Sequence, residues 1–122
     1  MRILVIEDEP RILGFLARGL EAEGFSVVGA RDGDEGLLLA DGLEFDLVIL
    51  DLLLPRLDGF SVLKALARKR PGLPVVIVSA RAEMSTKLRG FGLGAHDYLT
   101  KPVQTRSLVA RVRAVLKRAS MC

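Results

Sequence analysis

Short apolar segments alternate with amphipathic segments along the chain. The apolar segments span residues 3–6, 25–30, 47–50, 74–79 and, more weakly, 97–100. Three of them are continuous and rich in β-branched residues, as is typical of strands covered on both faces of a parallel sheet. The pattern therefore predicts five strands, with the three continuous ones at the centre of the sheet.

The segments between the predicted strands have the period of a helix. Pro10 suits the first turn of the first helix, and Gly24 suits its end. Asp58 is placed to cap a third helix that ends before the segment RPGLP. The positions that define the five helices are Leu13, Leu16 and Leu20; residues 33–41; Val62, Leu63 and Leu66; Met84, Leu88 and Phe91; and Leu108, Val112, Val115 and Leu116.

Strict alternation of strands and helices implies right-handed crossovers and a parallel sheet with helices on both faces. With five strands, it predicts an α/β fold: a flavodoxin-like, doubly wound (βα)5 three-layer sandwich with strand order 2-1-3-4-5. Residues 1–122 suffice for one such domain and are too few for two. Ligands of these folds bind at the carboxyl ends of the strands.

Composition indicates where such a protein would work. Half of the residues are apolar, and the only cysteine, Cys122, allows no disulfide within the chain. No apolar run is long enough for a signal-peptide core or a membrane span. We therefore expect a soluble, cytoplasmic protein with no membrane partner.

The net charge of +3 is concentrated near the C-terminus. Six of the 18 Lys and Arg residues follow Asp97, which leaves 12 of them against 15 acidic residues in positions 1–100. A basic patch can bind nucleic acid. Basic residues on the last helix of a domain also form a solvated face and complement the helix dipole. We favour the second interpretation.

Chemically active side chains follow the predicted strands. Glu7 and Asp8 follow the first strand, Asp51 follows the third, Ser79 ends the fourth and Lys101 follows the fifth. The first and third strands are neighbours in the predicted order, so three carboxylates meet at one edge and repel each other. A Mg²⁺ ion would relieve this repulsion and leave coordination positions for a phosphate. The sequence therefore predicts a magnesium site that handles phosphate.

Each of these residues also has a simpler explanation. Acids after strands often cap the next helix, small polar residues are frequent at strand ends, and a lone lysine is most often a solvated surface side chain. Taken singly, these explanations hold at least as well. Taken together, five matching groups at the ends of four strands favour a common site.

The segments IEDEP, LVILDLLLPRLDG, VSAR and GAHDYLTKP occur in this order over essentially the whole chain. As a set, they resemble the receiver domain of bacterial two-component response regulators. The resemblance implies a signalling switch that a sensor histidine kinase activates by phosphorylation. Such a domain assists its own phosphoryl transfer and dephosphorylation but is not an enzyme.

The resemblance also implies roles for individual residues. Asp51 would accept the phosphoryl group from the phosphohistidine of the kinase. Lys101 would pair with a phosphoryl oxygen, and the Ser79 hydroxyl would contact another. Ser79 and Tyr98 would form the switch, in which the Tyr98 ring fills the space that Ser79 leaves. The bond between Lys101 and Pro102 would be cis.

The same resemblance implies a set of metal ligands. Asp8, Asp51 and the backbone carbonyl of Leu53 would ligate Mg²⁺, and Glu7 would hold a metal-bound water. Phosphoryl transfer needs positioning and neutralisation of oxygen charge more than covalent help, and a dication together with a lysine supplies both.

The segments DLLLPRLDG, SARAEMSTKLRGFGLGAHDYLTKP and LVARVRAVLKR are most similar to the winged-helix (OmpR/PhoB) subfamily of transcription factors. Its activated receivers form homodimers through the fourth helix, fifth strand and fifth helix. Asp97 and Arg111 match one cross-subunit ion pair, and Lys87 matches half of another. Ser107 and His96 stand where the subfamily usually has Glu and Asp, which predicts a weaker dimer.

DNA contact would come only through an output domain, and none lies within residues 1–122. Two arrangements follow: a receiver fragment of a longer transcription regulator, or a stand-alone receiver. The subfamily resemblance favours the fragment.

Three other functions share parts of this pattern. A Mg²⁺-dependent phosphohydrolase that forms an aspartyl-phosphate usually has a second acid two residues after the nucleophile, where this chain has Leu53. A flavin or nucleotide binder of the same fold needs a phosphate-cradling glycine loop, where this chain has EDEP. A receiver regulated only by protein contacts would not need the full set of acids, hydroxyl and lysine.

Overall fold

In a computed structural model that describes residues 1–120, five strands alternate with five helices. Cys122 lies outside the described residues. The strands form one parallel sheet of order β2-β1-β3-β4-β5. The predicted fold and strand order are therefore confirmed. The elements are β1 (Arg2–Ile6), α1 (Pro10–Glu21), β2 (Ser26–Ala30), α2 (Gly33–Gly42), β3 (Leu47–Leu50), α3 (Gly59–Lys69), β4 (Val75–Ser79), α4 (Met84–Gly92), β5 (Asp97–Thr100) and α5 (Thr105–Ser120).

The central strands β1, β3 and β4 are buried along almost their whole length, as the continuous apolar segments predict. The register pairs Ile6 of β1 with Leu50 of β3. The ladder continues one step further, because the Asp51 amide donates a hydrogen bond to the Ile6 carbonyl at 3.0 Å. The residues that follow β1 and β3 therefore leave the sheet at the same level.

Two apolar clusters lie on opposite faces of the sheet. Alternate residues of a strand point to opposite faces, so Leu4 and Ile6 belong to one cluster while Ile3 and Val5 belong to the other. Helices α2 and α3 contribute to the first cluster, and α1 and α5 to the second. This arrangement is the predicted three-layer sandwich. No helix within residues 1–120 combines the length and the hydropathy that crossing a bilayer requires.

The predicted helix signals lie at the observed helix ends. Helix α1 begins at Pro10, and Gly24 follows it with a φ of +93°, a conformation that glycine adopts without a steric cost. The Asp58 carboxylate caps α3 by accepting hydrogen bonds from the amides of Phe60 at 2.9 Å and Ser61 at 3.2 Å. These local signals therefore locate the loops that carry the site.

The apolar face of α4 points away from the core. An apolar stripe is usually the buried face of a helix, yet Met84, Leu88 and Phe91 are 67%, 62% and 46% exposed. The buried face of the helix is instead the one that carries the small residues Thr86 and Gly90. Gly90 permits the close approach, because a Cβ there would lie 2.8 Å from a β4 side chain. The stripe is thus free for contacts outside the domain.

Arg70 joins the carboxyl ends of α2 and α3, a contact that the sequence pattern does not indicate. Its guanidinium donates hydrogen bonds to the carbonyls of Ala40 at 2.8 Å and Asp41 at 3.3 Å. The Glu44 carboxylate lies 3.6 Å from the same guanidinium. These carbonyls belong to the last turn of α2 and accept no hydrogen bond within the helix. Arg70 therefore caps α2 from a neighbouring helix.

An Arg70→Met substitution removes this cap and keeps an aliphatic stem. Because charge-assisted hydrogen bonds are lost from a side chain that is 32% exposed, we expect the free energy of unfolding to fall by about 1 to 2 kcal/mol. Arg70→Lys, the matched control, keeps the charge but not the planar fork and should recover only part of the loss. Urea denaturation measures both, and an unchanged midpoint in Arg70→Met would contradict the cap.

Candidate functional site

Three carboxylates converge at the carboxyl ends of β1 and β3. One oxygen from each of Glu7, Asp8 and Asp51 lies within 4.8 Å of the others. Their meeting follows from the strand order, because β1 and β3 are hydrogen-bonded neighbours whose ends are level. The convergence predicted from the sequence is therefore present in the fold.

Lys101 reaches this cluster from the end of β5. Its Nζ lies 2.6 Å from Glu7 Oε1 and 3.2 Å from Asp51 Oδ2. The Lys101 amide also donates a hydrogen bond to the Ser79 carbonyl at 2.8 Å, and the peptide bond to Pro102 is cis, as predicted. One ammonium thus bridges two acids that are almost fully buried.

Backbone amides hold the second oxygen of both bridged acids. The Glu9 amide donates a hydrogen bond to Glu7 Oε2 at 3.0 Å, and the Leu53 amide donates one to Asp51 Oδ1 at 3.2 Å. Each carboxylate is therefore fixed between one amide and Lys101 before any ligand arrives. Such preorganisation lowers the cost of binding and of reaction. The role of the Leu53 carbonyl as a metal ligand stays a prediction.

The electrostatics of the pocket follow from burial and these contacts. Burial raises the pKa of Glu7, and the nearby Asp51 charge adds to this, against the lowering effect of Lys101. For Lys101, burial alone lowers the pKa, but the hydrogen bond to Glu7 and the two carboxylate charges outweigh it and leave the pKa raised. The lysine is therefore charged at neutral pH. Lys101 contacts two of the three acids, so the cluster holds more carboxylates than this ammonium can pair and attracts a further positive charge.

The donor set could hold a divalent metal ion. All three donors are carboxylate oxygens, which hard cations such as Mg²⁺ prefer. Ligands at about 2.1 Å from one Mg²⁺ ion are at most about 4.2 Å apart. The three oxygens lie within 4.8 Å of one another, which suits one ion when one acid binds through a water molecule.

Ser79 and Tyr98 meet at the segment between β4 and α4. Ser79 is fully buried, and its Oγ accepts a hydrogen bond from the Arg81 amide at 3.2 Å. The Tyr98 hydroxyl donates a hydrogen bond to the Arg81 carbonyl at 2.5 Å, and its ring is buried. Burial raises the pKa of Tyr98, against the lowering effect of the Ser79 hydroxyl. The two residues predicted to form a switch thus both bind the backbone of Arg81.

The predicted interface residues lie on one surface, formed by α4, β5 and α5. Arg111 Nη1 lies 2.9 Å from both carboxylate oxygens of Asp97, so this ion pair forms within the chain. Lys87 Nζ lies 5.8 Å from the centre of the Tyr98 ring, within the range of a cation–π contact. Ser107 is exposed. The cross-subunit role of these residues stays a prediction.

Comparison with known proteins gives the family. The model of the response regulator receiver domain matches residues 3–113. The chain belongs to this family. Transcriptional regulatory protein TcrA of Mycobacterium tuberculosis is 43% identical to this chain over 118 residues, which are 97% of this chain and 47% of that protein.

A second relative matches the chain with similar identity and coverage. Alkaline phosphatase synthesis transcriptional regulatory protein PhoP of Bacillus subtilis is 41% identical over 120 residues, which are 98% of this chain and 50% of that protein. The chain thus spans about half the length of the curated relatives it matches. These regulators are of the OmpR/PhoB type, in agreement with the subfamily that the motifs resemble.

Solved structures agree with the family. A CheY-like response regulator receiver domain protein from Methanospirillum hungatei has a TM-score of 0.95 and 30% identity, and the match covers 98% of this chain and 96% of that one. The receiver domain of Francisella response regulator 1452 has a TM-score of 0.91 and 36% identity, with 96% and 97% covered. The receiver fold of this chain is therefore shown by sequence and by structure.

Proposed function

We propose that this receiver domain is a phosphorylation-activated switch in which Asp51 accepts a phosphoryl group from a sensor histidine kinase. One observation carries the proposal: Asp51 is held between the Leu53 amide and the Lys101 ammonium, beside two further acids. A buried carboxylate in this setting is fixed in orientation and placed at the rim of the sheet. These are the properties of a phosphoryl acceptor.

The transfer step follows from this geometry. An Asp51 carboxylate oxygen attacks the phosphorus of the phosphohistidine, the P–N bond breaks, and the electron pair leaves with the imidazole. The product on Asp51 is an acyl phosphate, which attack by water at phosphorus returns to carboxylate and inorganic phosphate. Lys101, already 3.2 Å from Asp51, pairs with a phosphoryl oxygen, and the Ser79 hydroxyl contacts another.

A magnesium ion fits this proposal. Asp8, Asp51 and the Leu53 carbonyl would hold it, with Glu7 acting through a bound water. When bound, it would neutralise charge on the phosphoryl oxygens. Glu7 and Asp8 would help to hold the ion near Asp51, and Lys101 would leave Glu7 to pair with a phosphoryl oxygen.

Activation would shift a population rather than create a new fold. Phosphoryl contacts draw Ser79 toward Asp51, and the buried Tyr98 ring occupies the space behind it. The affected surface, α4, β5 and α5, carries the exposed apolar stripe of α4 and would form a homodimer. Exposed ion pairs contribute only about 0 to 1 kcal/mol each. The substitutions Ser107 and His96 would therefore weaken this dimer without preventing it.

We further propose that the chain is the receiver part of a longer, cytoplasmic transcription regulator. Its curated relatives are transcriptional regulatory proteins about twice as long. DNA binding would belong to an output domain outside residues 1–122. A stand-alone receiver is the alternative, and the length of the encoding gene distinguishes them.

Phosphorylation by a small donor tests the central proposal. The chain is incubated with Mg²⁺ and acetyl phosphate, and its intact mass is measured. We expect the mass of one phosphoryl group to appear, to be absent when a chelator removes the metal, and to be lost on treatment with hydroxylamine, which cleaves acyl phosphates. A chain that never gains this mass would overturn the proposal.

Magnesium alone should stabilise the folded chain. A ligand at 100 times its dissociation constant adds about 2.7 kcal/mol to the free energy of unfolding, so the melting temperature should rise with Mg²⁺ concentration. Asp8→Asn should lose most of this rise. The matched control Asp41→Asn, an exposed acid at the end of α2, should keep it. Melting curves that are identical with and without Mg²⁺ in the unsubstituted chain would rule out the site.

A further inference from the structure

The side chain of His96 completes the hydrogen bonding of β4. His96 is the only histidine of the chain and lies in the turn before β5. Its amide donates a hydrogen bond to the Val75 carbonyl at 2.7 Å, and the Val75 amide donates one to His96 Nδ1 at 3.2 Å. Val75 is only 2% exposed. The imidazole thus supplies the acceptor for a buried amide at the point where β4 begins.

This bond exists only while the imidazole is neutral. Nδ1 accepts a hydrogen bond when its proton is absent, which places the single ring proton on Nε2. In the histidinium form both ring nitrogens are donors. The buried Val75 amide would then face a donor and lose its partner, which is costly for a backbone group.

The charged groups around His96 disfavour the protonated form. Helix α5 presents Arg111, Lys117 and Arg118 to the same surface depression, and Asp97 of β5 is its only acid among the described residues that line it. Arg111 already binds both oxygens of Asp97. Partial burial of the imidazole, and then the charge of Arg118, lower the pKa of His96, although the residue as a whole is exposed. From β4 the contact is the uncharged Val75 backbone, and from α4 the apolar Phe91 lines the same depression.

We propose that His96 makes the pairing of β4 with β5 sensitive to pH, because proton uptake by its imidazole releases the Val75 amide. The direction of the change in stability with pH follows from the difference in proton binding between the folded and unfolded chains. The pKa in the folded chain lies below the unfolded value of 6.5, so the unfolded chain binds more protons in the interval between the two. Stability is therefore full above about pH 7.5 and falls as the pH drops through 6.5 toward the folded pKa.

The consequence for signalling rests on the proposed function. His96 lies on the α4, β5 and α5 surface, where its protonation would add a positive charge to an already basic face. Acidification would then weaken the proposed homodimer as well as the fold. The titration itself needs no phosphoryl group, so it remains testable whether or not Asp51 is an acceptor.

Nuclear magnetic resonance gives a direct test, because a single histidine gives a single imidazole signal. We expect the imidazole to titrate with a midpoint below 6.5. The Val75 amide resonance should shift with the same midpoint. Each pKa unit below the unfolded value should lower the folding equilibrium constant of the chain about tenfold at acid pH.

His96→Asn is the matched variant, because a side-chain amide oxygen can accept the Val75 hydrogen bond without titrating. Urea denaturation at about pH 7.5 and about pH 5.5 then separates the effect of this histidine on stability from that of the carboxylates, because the carboxylates titrate in both variants. We expect the unsubstituted chain to lose more stability than His96→Asn between the two pH values. Equal losses, or a Val75 amide that does not follow the imidazole, would overturn the proposal. Absent phosphoryl uptake would overturn only the proposed function.

Discussion

We expect Asp51→Asn to take up no phosphoryl group from acetyl phosphate in the presence of Mg²⁺. An amide oxygen is a far weaker nucleophile than a carboxylate, and the substitution also removes the negative charge that faces Lys101 Nζ at 3.2 Å. We expect the phosphorylated fraction, measured by intact mass, to fall from most of the chain to below detection.

Asp41→Asn is the control for this substitution. It makes the same chemical change at an acid whose side chain is 59% exposed and lies at the amino edge of the sheet, near Lys69. This variant should be phosphorylated as fully as the unsubstituted chain. If Asp51→Asn gains the phosphoryl group to the same extent, the acceptor is another residue and the mechanism proposed above is wrong.

Gly59→Ala should give the largest loss of stability among the single substitutions considered. Gly59 begins α3, and a Cβ there would lie 2.4 Å from Leu52 Cα, 2.7 Å from the Asp51 carbonyl oxygen and 2.9 Å from the Leu52 carbonyl oxygen. All three atoms are backbone, so no side chain can rotate away. We expect the free energy of unfolding to fall by about 3 kcal/mol or more, at the upper end of the cost of overpacking.

The same substitution should also impair the site. The obstructing atoms belong to Asp51, the proposed acceptor, and to Leu52, so the added methyl group should push α3 away from the loop that positions Asp51. Slower phosphoryl uptake should therefore accompany the loss of stability. Both effects are measured on one preparation, by urea denaturation and by the time course of the intact mass.

Gly42→Ala provides the comparison for Gly59→Ala. Gly42 ends α2, and nothing lies within 4 Å of the position where its Cβ would be. Alanine has the higher helix propensity, so this variant should be neutral or stabilised by up to about 1 kcal/mol. Equal stability of the two variants would show that α3 can move away from the Asp51 loop at little cost.

The sheet and the site edge could be predicted because their signals are local. A continuous apolar segment of four or five residues indicates a covered strand, and strict alternation with helices leaves few topologies. Once the order 2-1-3-4-5 is chosen, Glu7 and Asp51 must lie at neighbouring strand ends. The contacts of Lys101 with both acids do not follow from this argument, because β4 lies between β3 and β5.

The helix signals were reliable where one residue acts on its own backbone neighbours. Asp58 caps the helix that it precedes, and Pro10 begins its helix. The stripe of α4 was different, since periodicity shows that Met84, Leu88 and Phe91 share a face but not which face is buried. The packing was decided by Gly90, whose missing side chain matters only because β4 lies beneath it.

By itself, the sequence determined the order of the elements, their apolar faces and the residues that stand at the strand ends. It could do so because strand and helix periodicity, capping and turn preferences act over a few residues. Tertiary structure alone decided that Arg70 caps α2, that Gly59 packs against the backbone of Asp51, and that His96 accepts a hydrogen bond from the Val75 amide. The first and third contacts join residues 30 and 21 positions apart, and the second joins a helix to the loop before it. The strength of all three depends on distances and burial that exist only after the layers have packed.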